Sequence, residues 1–120
     1  MNFTLIGEPR STNNIYRFTC RGSFPSMYMS KEGKVLKEDY QWQIKSQFRG
    51  KKILKGNIGV EIKLYFSKKG KHDIDNFNKI LYDAFSGLVW VDDCQIQCAL
   101  TEKCFDKKSP RIEVEVYEIV

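Results

Sequence analysis

One stretch near the middle of the chain constrains the fold more than any other. Within residues 57–66, Ile58, Val60, Ile62, Leu64 and Phe66 alternate with Gly59, Glu61, Lys63 and Tyr65. A period of two places five apolar side chains on one face of an extended strand, and that face needs a covering layer. Two amphipathic segments can supply it. Leu36, Tyr40, Ile44 and Phe48 recur every four residues, which predicts a helix over 31–49 with Ser30 as N-cap and Gly50 just past its end. Beyond a polar basic turn at 67–72, Phe77, Ile80, Leu81, Ala84, Phe85 and Leu88 form the inward face of a second helix over 75–86, stopped by Gly87.

The remaining apolar segments are short and extended. They fall at 2–6, at 15–20 with 27–29 (a hairpin or an arm), at 94–101 and at 111–119. No repeat, low-complexity tract or linker interrupts them. The expectation is therefore an α+β fold: a single domain over 1–120, with one mixed sheet of about four strands and two helices packed on it.

Charge is distributed unevenly along this frame. Residues 1–72 carry 15 Lys/Arg against 5 Asp/Glu, whereas residues 73–120 carry 5 against 10. A basic half points to a polyanionic partner. An acidic cluster in the same small chain is not what a simple phosphate binder requires. No apolar run approaches the roughly 20 residues of a membrane span, and the first residues lack the pattern of a signal peptide. A cytoplasmic protein is expected.

The four cysteines make a poor metal site by spacing. Cys94, Cys98 and Cys104 contain no C-x-x-C pair, and Cys20 or His72 would have to complete a zinc set from far away. Since Cys94, Ile96, Cys98 and Leu100 share even positions, the reading is of small buried thiols on the core face of a strand. His72, within Lys68-Lys69-Gly70-Lys71-His72, reads as a solvated phosphate contact rather than a general base.

The chemistry lies in the carboxylates. Asp73 and Asp75 flank Ile74 at the end of an extended segment. Lys79 and Asp83 follow at helical spacing, and Asp92-Asp93 opens the next strand. Each has an ordinary explanation as a cap, an ion pair or a turn. Jointly they describe a hard-oxygen site for Mg²⁺ or Mn²⁺, because crowded like charges cost stability unless a cation binds them. Such ions activate water and neutralise charge at a scissile phosphate.

The pattern Asp73-Ile74-Asp75-Asn76-x-x-Lys79-x-x-x-Asp83-Ala84-x-x-Gly87, followed by Trp90-x-Asp92-Asp93-x-Gln95-Ile96, resembles the core motif of the RusA family of Holliday junction resolvases. Pro9-x-x-x-Asn13-Asn14-x-Tyr16-Arg17 and Tyr28-x-Ser30-x-Glu32-Gly33 are similar to that family's opening segments. The resemblance implies a homodimeric endodeoxyribonuclease, often phage- or prophage-encoded. It would use Mg²⁺ to resolve four-way DNA junctions by paired symmetric nicks in recombination and repair. Asp73, Asp75 and Asp93 would be the metal-binding catalytic acids, with Asp92 the alternative member of its pair and Lys79 the essential lysine. Asn13, Asn14, Arg17, Lys68, Lys69, Lys71, His72 and Asn76 would contact DNA. Competing readings are a non-catalytic structure-specific DNA binder and a nuclease acting on flaps or forks. The opening segment lacks a second proline, and Leu88-Val89 replaces a Gly-aromatic step. Neither departure touches the acids or the lysine.

Overall fold

The computed structural model describes residues 1–11, 16–21 and 24–120. The chain runs β1 (Asn2–Ile6), β2 (Tyr16–Arg21), β3 (Phe24–Met29), α1 (Lys31–Gln47), β4 (Ile58–Phe66), a 3₁₀ turn (Ile74–Phe77), α2 (Asn78–Phe85), a second 3₁₀ turn (Asp93–Gln95), β5 (Ile96–Phe105) and β6 (Arg111–Glu118). Four strands form one mixed sheet in the order β1-β6-β4-β5, and β2 pairs with β3 as a separate hairpin. This is the expected α+β architecture.

The alternation at the centre works as expected. Ile58, Val60, Ile62, Leu64 and Phe66 are buried on the face that the helices cover, beside Ile112, Val114 and Val116 of β6. Tyr40 and Ile44 from α1 with its cap residue Phe48, and Ile80, Leu81, Ala84 and Phe85 from α2, close over that face. Each fully buried side chain of this size contributes about 1.5–3 kcal/mol relative to exposure. Ser30 caps α1 through Oγ, which accepts from the Gly33 N–H at 3.2 Å. Gly87, at φ +84°, supplies the left-handed turn that ends the α2 segment.

β4 and β5 are parallel and joined through α2, so the chain crosses over the sheet as a βαβ unit. This crossover positions the site. α2 runs back across the sheet from the Phe66 end of β4 to the end where β5 starts.

The sheet's two edges differ. On the β1 side, α1 reaches over the strand: the Thr4 N–H donates to Gln47 Oε1 at 2.8 Å, the Ile6 N–H donates to Gln43 Oε1 at 2.7 Å, and Gln47 Nε2 donates to the Thr4 carbonyl at 2.7 Å. The β5 side is the other end of the strand order, and most of its residues are exposed.

That exposure corrects the cysteine reading. A register shift between Ile58 and Gly59 inserts an extra residue into β5, so Ile58 faces Ile96 but Gly59 faces Cys98. A one-residue slip exchanges the two faces of a strand. Cys98 and Leu100 consequently lie on the sheet face away from the helices, and Cys94 and Cys98 are exposed rather than buried. Helix boundaries also shift. The second helical segment opens as a 3₁₀ turn, and α1 ends at Gln47 with Phe48 as its cap, two residues before Gly50.

Candidate active site

Two acid-bearing corners sit at opposite ends of α2. The first follows the basic turn 67–72. Glu8 holds the entry to that turn, accepting from the Ser67 N–H at 3.1 Å, so the N-terminal segment passes beside it. His72 is half-buried and stacks flat on Phe66, with centroids 3.8 Å apart and 3° between planes. This ring anchors the chain to the core, which differs from the solvated contact expected of it. Asp73 then caps the 3₁₀ turn, its Oδ1 accepting from the Asp75 N–H at 3.2 Å. Asp73 and Asp75 are both exposed and Asn76 is half-buried. Lys79, exposed in the first turn of α2, lies 3.9 Å from Asp83.

The second corner is braced. Asp92 caps the second 3₁₀ turn, accepting from the Asp93 N–H at 2.7 Å within a capping box shared with Gln95. Asp93 turns inward. Its Oδ1 accepts from Ser86 Oγ at 2.5 Å and from Trp90 Nε1 at 3.2 Å, and Trp90 is fully buried against Phe85. Gln95 is buried and fully employed: Oε1 accepts from the N–H groups of Val91 and Asp92 at 2.7 and 2.9 Å, and Nε2 donates to the carbonyls of Leu54 and Gly56 at 2.9 and 2.8 Å. The pair therefore divides its work, with Asp92 shaping the turn and Asp93 presented by the core. Burial, and then the charge of Asp93, raise the phenol pKa of neighbouring Tyr82. Cys94, by donating to Asp92, has its thiol pKa raised as well.

The expected convergence of Asp73, Asp75 and Asp93 does not occur within one chain. Asp75 and Ser86 are separated by the 3₁₀ turn and all of α2, roughly 15 Å at 1.5–2 Å per residue. The strand gives an independent ruler. Thr101 Oγ1 donates to Asn78 Oδ1 at 3.0 Å and Lys103 Nζ donates to the His72 carbonyl at 3.1 Å, so the first corner lies at the far end of β5. Asp93 precedes its near end, about 17 Å away at 3.3 Å per residue over 96–101. Among the described residues, no group of three or more His, Cys, Asp or Glu side chains could hold one metal ion. The donors nevertheless suit a hard cation: two exposed carboxylates two residues apart at one corner and a pre-oriented third at the other, with no imidazole or thiolate among them.

Lys68, Lys69 and Lys71 are exposed just upstream of Asp73. Asn13 and Asn14 lie outside the described residues, as does the Arg17 side chain. Sequence reasoning missed the bracing by Ser86 and the carbonyl-bridging role of Gln95. It also missed Lys103 and Phe105, which the parallel register carries to the basic turn by placing Phe105 beside Phe66. Only the strand pairing could have revealed them.

Two comparisons relate the sequence of this chain to known proteins. Residues 7–117 match the family model described as Endodeoxyribonuclease RusA. The chain is also 28% identical over 140 aligned residues to "Uncharacterized protein YqaN" of Bacillus subtilis (strain 168), covering 99% of this chain and 96% of that protein.

Proposed function

The chain belongs to the RusA family of endodeoxyribonucleases, and from that premise we propose that it is a Mg²⁺-dependent resolvase. Its substrate would be a four-way DNA junction, cut by paired symmetric nicks in recombination and repair in the cytoplasm. The observation that carries this reading is the first corner. Two exposed carboxylates, Asp73 and Asp75, follow directly on a turn bearing Lys68, Lys69 and Lys71. Phosphate-holding charge and cation-holding charge are then adjacent in sequence and in space, as phosphodiester hydrolysis requires.

Asp73, Asp75 and Asp93 would hold the Mg²⁺, with Mn²⁺ as a substitute. When bound, the ion lowers the pKa of a water and offsets charge on the scissile phosphate. The lysines of the basic turn hold the backbone on either side, supplying affinity without reading sequence. Lys79, a turn beyond Asp75, would offset the charge that grows as the bond breaks. Ser86 and Trp90 fix the orientation of the Asp93 carboxylate before DNA arrives.

The separation of the corners supports a two-chain acid set. A two-fold dimer would bring Asp73 and Asp75 of one protomer to the partner's Asp93, giving two sites that match the junction's own symmetry. Co-expression of Asp75→Asn and Asp93→Asn chains tests both the acids and the pairing. Each variant alone is expected to be inactive on a synthetic junction. The mixture regains roughly a quarter of wild-type nicking, since half of the pairs are mixed and each keeps one intact site. A mixture as inactive as its parents contradicts the shared site. Cutting by either variant alone at the wild-type rate, or cutting in EDTA, contradicts the assignment of the acids.

A further inference from the structure

A cavity of about 280 Å³ opens beside the first corner, between the ends of β4 and β5. Its walls are Phe66, His72 and Phe105, and its rim carries Lys68, Lys69 and Lys103. Phe66 is buried and held edge-on by Phe77 at 5.3 Å, which makes the Phe66–His72 stack a rigid floor. Phe105 is different. It closes β5 with 46% of its surface exposed, although a strand end could turn a phenyl ring into the core. The Lys69 ammonium stands over one face of its ring, 5.7 Å from the centroid, which leaves the opposite face for a base. Lys103 is tied to the His72 carbonyl, fixing its charge over the segment that leads into Asp73.

An exposed aromatic ring with one ammonium over it and two further lysines lining the same pocket matches the chemistry of a nucleotide taken out of a helix. The ring offers a stacking surface that is indifferent to sequence, and the lysines hold the adjoining phosphates. A base inside a duplex has both faces covered by its neighbours and cannot use such a ring without being unstacked. The volume lies just below the ~300–1,000 Å³ usual for ligand pockets, room for one nucleotide and not for a base pair. We propose that this pocket captures a single unstacked nucleotide of the DNA, its base on Phe105 and its flanking phosphates among Lys68, Lys69 and Lys103. The inference rests on the nuclease reading above and adds a feature to it. The protein would recognise a branch by the nucleotide that a branch releases from stacking. Because His72 joins the pocket floor to Asp73, the cut would fall within a nucleotide or two of the captured base.

The test uses the full chain in EDTA, so no cutting intervenes. Its probes are a five-nucleotide oligothymidylate and a four-way junction carrying 2-aminopurine at successive positions around the exchange point. Wild type is expected to bind the oligomer and to change the 2-aminopurine signal at one position. Phe105→Ala should weaken oligomer binding roughly tenfold and abolish that change, Phe105→Trp should restore both, and binding to linear duplex should stay within about twofold. Lys69→Gln, at an exposed position, checks the phosphate side by flattening the salt dependence of oligomer binding by a little under one unit of slope. Unaltered oligomer binding by Phe105→Ala, or a 2-aminopurine signal that stays flat at every position for wild type, overturns the pocket. Failure to nick in Mg²⁺ bears on the nuclease reading alone, because none of these measurements requires a cut strand.

Discussion

The two ends of α2 carry the same functional group in opposite settings. At the open end, Asp73 and Asp75 stand in solvent on a 3₁₀ turn, held by a single side-chain cap and neighboured by lysines. At the braced end, Asp93 is gripped by Ser86 and by a fully buried tryptophan, while Gln95 ties its turn to the loop at 54–56. A carboxylate in the first setting contributes little to folding. One in the second setting is part of the structure that presents it. Activity and stability should therefore separate at one end and travel together at the other.

The largest expected effect breaks that comparison open at the exposed end. Asp75→Asn should lower junction nicking by ~10³-fold, the scale of removing one group that stabilises a reacting centre. Its melting temperature should stay within about 2 °C of wild type, as for surface changes that leave the core intact. Activity on junctions and a thermal melt check it together, and a large loss of stability would mean that the open end is structural after all.

Gln95→Ala should act in the reverse order. It strands two backbone N–H groups and two carbonyls at a buried corner, for a loss of about 3 kcal/mol. In a chain of this size that is roughly 10 °C of melting temperature. Nicking should fall with it, because Asp93 loses its fixed direction. If stability is unchanged, the bracing is only apparent.

The smallest effect sharpens the comparison through pH. The Tyr82 phenol, beside Trp90 and Asp93, has its pKa raised above the ordinary value near 10, first by burial and then by the Asp93 charge. The fold thus favours the neutral phenol. Its contribution is fully present below the unfolded value and fades as the pH climbs through the folded one. Tyr82→Phe should flatten the alkaline loss of stability, read as urea midpoints from about pH 8 to 11. An unaltered slope would remove Tyr82 from the braced corner.

Much of this was legible in the sequence because it is local. The alternation over 58–66 needed only its own period, α1 needed Ser30 and a four-residue repeat, and α2 needed Gly87. The acids were legible as residues but not as an assembly. Twenty positions separate Asp73 from Asp93, and proximity in sequence invites the idea of a cluster. The intervening helix is eight residues long and holds its two ends apart. The cysteines were misread for a similar reason: a single extra residue opposite Gly59 reverses the faces of β5, and a bulge is written in the pairing rather than in the strand itself. Gln95 was legible only as a motif residue, because its partners at Leu54 and Gly56 lie about forty positions upstream.

The unequal sheet edges carry a consequence for how such a molecule can assemble. β1 spends its outward hydrogen-bonding capacity on Gln43 and Gln47, so a strand from another chain finds those groups already taken. Of this sheet's two margins, among the described residues, β5 is the one left to recruit a neighbour. Two copies that met edge to edge along β5 would consume the available edge on both, and the finished sheet would present a glutamine-sealed strand at each margin. Growth would stop at two. A fold that seals one margin and leaves the other open can form a closed pair without the risk of propagating into a fibre.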